Sequence, residues 1–155
     1  MPSAAPPSLF DQLGGEPALR ALIDRFVERL FSDLMIGFFF QRASKERIKE
    51  KEYEFAARHL GANIEYTGRP LEAAHRPHRI FDGQFQRRLT LLRETLDQCG
   101  APTNVRNHFL SHTLSLRDRI IVGKCEDPLP NDPQPNDPQP NDPQPNDPQP
   151  NEPPR

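Results

Sequence analysis

The run from Tyr66 to His78 reads Tyr-Thr-Gly-Arg-Pro-Leu-Glu-Ala-Ala-His-Arg-Pro-His and sets His75 at the end of a short apolar turn. Pro77 keeps that turn from extending far. A neutral imidazole held this way, facing an apolar pocket, is the kind of protein ligand an iron porphyrin needs. His78 is the alternative ligand, but it follows Pro77 and reads as a rim or surface residue. His108 and His112 stand at i, i+4, a spacing that can chelate a metal. No third ligand accompanies them, so a packed or surface pair is the plainer reading. His59 reads as a satisfied histidine at a helix end.

These residues need elements to carry them. Pro17 suits a first helical turn, and Leu19, Leu22, Ile23, Phe26, Val27, Leu30 and Phe31 follow a helical period, which predicts a long buried helix over roughly 16–33. Met35 to Phe40 is an apolar corner. Ser44 is placed to cap a second long helix that runs to His59 and is stopped by Gly61. Its inner stripe is Ile48, Glu52, Phe55, Ala56 and His59, so a carboxylate interrupts an apolar face. A loop over 61–70 leads to the histidine turn. A third long helix is expected from near Asp82, with Phe85, Leu89, Leu92 and Leu96 inward, to Cys99-Gly100. A last helix, with Thr103 as its cap, carries Val105, Phe109, Leu116 and Ile120 and ends at Gly123. No strand pattern survives, so the fold class is all-α.

The 155 residues divide into two unlike pieces, 1–125 and 126–155. Asn-Asp-Pro-Gln-Pro occurs four times from Asn131 to Pro150, and 12 of the 19 prolines fall in 128–154. Such a tract cannot bury enough surface to offset its ordering entropy, which predicts a disordered, partly polyproline-II tail. Fully extended at ~3.1 Å per residue it would reach about 85 Å. The tail holds seven acids and one base, which leaves 15 acids and 19 bases in residues 1–125. A mild excess spread along helices is a solvated surface and argues against nucleic-acid binding. Cys99 and Cys125 form no Cys-x-x-Cys pattern, which argues against a zinc site or covalent haem attachment. The absence of a signal-peptide pattern and of any long apolar run points to a soluble, cytoplasmic protein with no membrane partner.

From Leu9 to Ile121 the chain resembles the truncated haemoglobins, most closely group I. Leu9-Phe-Asp-Gln-Leu-Gly-Gly15 is similar to that family's opening turn, and Asp24-Arg-Phe26-Val27 to its Asp-x-Phe-Tyr. Phe39-Phe40 resembles its apolar corner, and Tyr66-Thr-Gly68 with Ala74-His75 its approach to the iron ligand. The resemblance implies a two-over-two helical sandwich with non-covalent haem b. It implies His75 as the proximal iron ligand, Phe40 on the porphyrin face, and a pocket lined by Phe55, Leu71, Ile80 and Phe85. It makes Lys51 a candidate for a haem propionate, with Tyr66 and Arg69 as further candidates.

The chain departs from the family at Val27, where a tyrosine is usual, and at Glu52, where glutamine is frequent. Val27 donates no hydrogen bond, and Glu52 donates only if protonated, the form that burial beside an apolar porphyrin favours. Ile48, at the gate position, is also apolar. Glu52 has two readings: a distal acid that hydrogen-bonds ligand or moves protons, or a carboxylate paired with Arg47, Lys49 or Lys51. The function implied is binding of a diatomic gas (O2, NO or CO), with oxygen the default. The alternatives are a haem redox enzyme served by a reductase, and a gas or haem sensor tethered by its tail.

Overall fold

The computed structural model describes residues 4–122. The 125/126 boundary, the proline-rich tail, Cys125 and the expected stop at Gly123 lie outside the described residues. Ser8 opens the first helix, α1 (Leu9–Leu13): its hydroxyl accepts from the Asp11 amide at 3.1 Å, and the Asp11 carboxylate accepts from the Ser8 amide at 3.1 Å. This reciprocal cap satisfies donors that a five-residue helix would leave bare. Gly14 and Gly15 follow with φ of 118° and 70°, a left-handed turn that side chains resist. A Cβ on Gly14 would also lie 2.8 Å from that of Ala18.

The glycine pair turns the chain into α2 (Gly15–Ser32), whose inner stripe of Leu19, Leu22, Ile23, Phe26, Val27 and Leu30 is fully buried. Burial of each such side chain contributes roughly 1.5–3 kcal/mol. Asp33 then fastens the apolar corner, accepting from the amides of Met35 at 2.9 Å and Ile36 at 3.2 Å and from Arg87 Nε at 2.9 Å. Burial disfavours ionisation of Asp33, but Arg87 and the two amides outweigh it and hold the carboxyl below its usual range. A 3-10 turn over Gly37–Phe40 completes the corner, with Phe40 stacked on Phe31 at 5.2 Å between ring centres.

Ser44 caps α3 (Lys45–His59), accepting from the Arg47 amide at 3.3 Å. The five-residue α4 (Leu71–His75) continues into a 3-10 turn, Arg76–His78. After it come α5 (Asp82–Gln98), α6 (Thr103–Ser115) and α7 (Arg117–Ile120). The core joins α2 to α3 on one side and to α5 on the other, with α6 closing against α5 through Val105 and Phe109. This is the expected two-over-two arrangement of long helices. No strand is present among the described residues; Ile80 and Ile121 make a single parallel bridge, with the Val122 amide donating to the Ile80 carbonyl at 2.9 Å. No helix among the described residues is long and apolar enough to cross a membrane.

Two details correct the sequence reading. Pro102, not Thr103, occupies the cap position, and Thr103 is the first residue of α6. The last helix is broken at Leu116 rather than continuous to its end. The hydroxyls of Thr113 and Ser115 bond back to the carbonyls of Phe109 at 2.9 Å and His112 at 2.6 Å, and the Leu116 amide drops to an i−3 bond with Thr113 at 3.1 Å. Hydroxyls that bond back to carbonyls in this way bend helices.

Candidate haem site

α4 ends on His75. Its Nδ1 lies 2.7 Å from the Leu71 carbonyl one turn earlier, so Nδ1–H donates there and Nε2 carries the free lone pair. Nε2 makes no hydrogen bond among the described residues. Burial lowers the proton affinity of this imidazole, the Leu71 carbonyl opposes that change, and the charges of Arg88 and Glu52 act on it in opposite directions. The result is a neutral, oriented imidazole. His78 is exposed, its ring edge-on to Phe39 at 6.1 Å.

Glu52 projects from α3 towards α5, where Arg88 Nη2 donates to both of its oxygens at 2.8 and 2.9 Å. Each side chain of the pair is 27 % exposed. The partner is thus neither Arg47, Lys49 nor Lys51. Both oxygens of Glu52 accept from a guanidinium that reaches them from the neighbouring helix. Phe26 supports that guanidinium from below, its ring centre 5.0 Å from the central carbon of Arg88. Arg88 is the residue of this cluster that sequence reasoning missed. On α5 it follows Phe85 by three residues and precedes Leu89, both buried yet outside the main apolar cluster.

Val27 is wholly buried in the main core, while Ile48, Phe55, Leu71 and Ile80 are half-buried. Phe55 meets the ring of Tyr66 edge-on at 5.5 Å. The Tyr66 hydroxyl donates to the Arg69 carbonyl at 3.1 Å, which folds the ring over Gly68. A Cβ on Gly68 would sit 2.1 Å from that hydroxyl oxygen, so any side chain there would displace the Tyr66 ring. Lys51 is held by Glu54 at 3.0 Å and by the Thr67 hydroxyl. Glu54 also accepts from the Thr67 amide at 2.9 Å. Burial works against its ionisation, but the Thr67 amide, Lys51 and the Thr67 hydroxyl outweigh that and keep the carboxyl below its ordinary range.

Behind Phe55, three histidines assemble from α3 and α6. The rings of His59 and His112 stack at 4.1 Å, 14° from parallel, and His108 lies 5.4 Å from His59. His108 Nε2 bonds to the His59 carbonyl at 2.9 Å, whereas Nδ1 of both His59 and His112 is buried without a partner among the described residues. His59 is therefore not the satisfied helix-end residue of the sequence reading. Face-to-face imidazoles direct their in-plane lone pairs along parallel planes, which no single ion can share, and no metal-holding group occurs among the described residues.

The residues around His75 suit an iron porphyrin. A neutral imidazole with a free Nε2 meets the need for an axial ligand. Phe40, Ile48, Phe55, Leu71 and Ile80 are large and apolar yet only half-covered, which leaves unfinished apolar surface on α3, α4 and the segments flanking them.

The family described as bacterial-like globin matches residues 8–121. A group 1 truncated haemoglobin from Mycolicibacterium paratuberculosis is 30% identical over 121 residues, covering 78% of this chain and 89% of that protein. One from Chlamydomonas moewusii is 33% identical over 98 residues, covering 61% of this chain and 57% of its own length. The Fe(III) form of a truncated haemoglobin from Tetrahymena pyriformis superposes with a TM-score of 0.68 at 21% identity, over 76% of this chain and 100% of that one. A group II protein from Bacillus anthracis superposes with 0.70 at 20%, over 77% and 94%.

Proposed function

The chain belongs to the bacterial-like globin family, and from that premise we propose that it holds haem b through His75 and binds a diatomic ligand, with oxygen the default. Haem held there would supply an iron centre able to bind a small gas molecule. The observation that carries the reading is the 2.7 Å contact of His75 Nδ1 with the Leu71 carbonyl, which turns Nε2 outward as a lone pair. Phe40, Phe55, Leu71, Ile80 and Phe85 would cover the porphyrin, and Val27 and Ile48 would close its distal side. Lys51 would meet the propionates at the rim once released from Glu54 and Thr67, with Tyr66 and Arg69 as further candidates.

A redox reading, with an external reductase supplying electrons, requires a residue that moves protons. Glu52 is the acid on the inner face of α3, but both its oxygens are engaged by Arg88, which favours the binding reading. The test is the absorption spectrum of the full chain, ferric, ferrous and with carbon monoxide, beside a His75→Ala variant. A haem b spectrum that collapses or shifts in the variant supports the assignment; haem uptake indifferent to His75 refutes it.

A further inference from the structure

The Glu52–Arg88 pair has a property that neither residue has alone. A guanidinium carries five N–H donors in a rigid plane. Only Nη2 of Arg88 has a partner among the described residues, and it spans both oxygens of Glu52 at 2.8 and 2.9 Å. Nε and Nη1 are left with donors to spare. The head cannot swing freely, because Glu52 grips one corner and the Phe26 ring lies beneath it at 5.0 Å. It is also partly withdrawn from water, where a charged hydrogen bond is worth more than at the surface. Glu52 lies one turn from both Ile48 and Phe55 on α3, and Arg88 lies one turn from Phe85 on α5, so the pair sits beside residues that would line the pocket under the haem reading.

We propose that Arg88 is the anion-recognising group of this pocket: its unused N–H donors receive small inorganic anions such as azide, fluoride or nitrite at the ferric iron, while Glu52 positions it. The inference rests on the haem reading above and deepens it, adding a ligand class to which the apolar residues Val27 and Ile48 are blind. Arginine suits the role because its charge is permanent and its donors are preset in one plane. Glu52 has a double effect, orienting the guanidinium but also repelling an incoming anion.

That opposition makes the test specific. Ferric protein is titrated with azide, fluoride and nitrite and followed by absorption, and ferrous protein is titrated with carbon monoxide as a neutral control. Arg88→Leu is expected to weaken all three anions by about 10- to 100-fold, the range for losing one charged hydrogen bond, and to leave carbon monoxide nearly unchanged. Arg88→Gln, which keeps a polar donor on a shorter stem but not the charge, should weaken the same anions and guards against misfolding of the leucine variant. Glu52→Gln, which keeps an oxygen to hold Arg88 but removes the competing charge, should tighten them several-fold. A merely structural pair would not give these opposite signs. Equal anion affinities in all variants with the haem spectrum intact, or parallel losses for anions and carbon monoxide, would overturn the proposal alone. A full chain that takes up no haem overturns the haem reading, and this inference with it.

Discussion

The imidazoles of His59 and His112 lie face to face, 4.1 Å between centres and 14° from parallel, each with a buried Nδ1 that has no hydrogen-bond partner among the described residues. One ring comes from α3 and the other from α6. The contact therefore joins the helix bearing Glu52 and Phe55 to the last long helix of the core.

That contact makes the fold sensitive to acid. Burial, then the neighbouring His112 and His108, push His59 down from 6.5 to about 3, and burial also lowers His112. A histidine depressed in the folded state binds its proton more readily in the unfolded chain, so stability is full above about 6.5 and falls with pH towards about 3. Urea unfolding at pH 7 and pH 5 should show His59→Phe losing less stability than the parent chain. The difference should approach at most about 1.4 kcal/mol per pH unit. Equal losses in both proteins would mean that the stack carries no such linkage.

The loop over 61–70 should depend on one carboxylate. Glu54 takes the amide and hydroxyl of Thr67 together with Lys51, and its folded-state pKa is depressed below 4.5. Its contribution is therefore present above about 4.5 and disappears as pH falls through the folded value. Glu54→Gln should lower the melting temperature by a few degrees at pH 7 and by less at pH 3.5. A melting-temperature difference that does not change with pH would be inconsistent with this sign.

Gly68→Ala should destabilise by about 0.5–1.5 kcal/mol, because the new methyl displaces the Tyr66 ring from its hydrogen bond to the Arg69 carbonyl. Truncating Tyr66 to alanine in the same chain removes the obstacle. A double-mutant cycle by chemical denaturation should then show the second change costing less in the Gly68→Ala background than alone. Additive losses would place the strain elsewhere.

Glu52→Leu strands the Arg88 charge in a half-buried position, whereas Glu52→Leu with Arg88→Leu removes both ends of the pair. Since each side chain keeps 27 % of its surface exposed, the single change should cost no more than about 1 kcal/mol. The double variant should recover most of that loss in a urea titration. A double variant less stable than either single one would show that packing around the pair, rather than its charges, dominates.

Much of the frame was readable before any coordinates. The stripe from Leu19 to Leu30 and the spacing of Phe85, Leu89, Leu92 and Leu96 mark buried faces by period alone, and Ser44 and Gly14-Gly15 mark ends through cap chemistry. His75 stands out because proline and glycine bracket its turn. Arg88 could not be read the same way: a basic residue in a helical pattern scores as solvent-facing, and its contact with Glu52 spans 36 residues. Its only signal is its position between Phe85 and Leu89, on the inward side of α5. The His59–His112 stack depends on where α3 and α6 cross, which periodicity within either helix does not encode. The break at Leu116 follows from two hydroxyls that turn back on their own helix, with no proline or glycine to announce it.

α4 is five residues long and has no buried side chain, while α2 beside the core is buried along its whole inner stripe. What fastens α4 at its edges is a short set of polar contacts, among them the exposed pair Arg119–Glu72 at 2.5 Å. Segments so poorly anchored open at a small fraction of the free energy of global unfolding. The histidine turn is thus poorly protected, and its amides should exchange with solvent long before those of α2. Under the haem reading, cofactor entry and exit are gated by a local hinge rather than by the stability of the whole fold. Occupancy, once achieved, would in turn close that hinge by mass action.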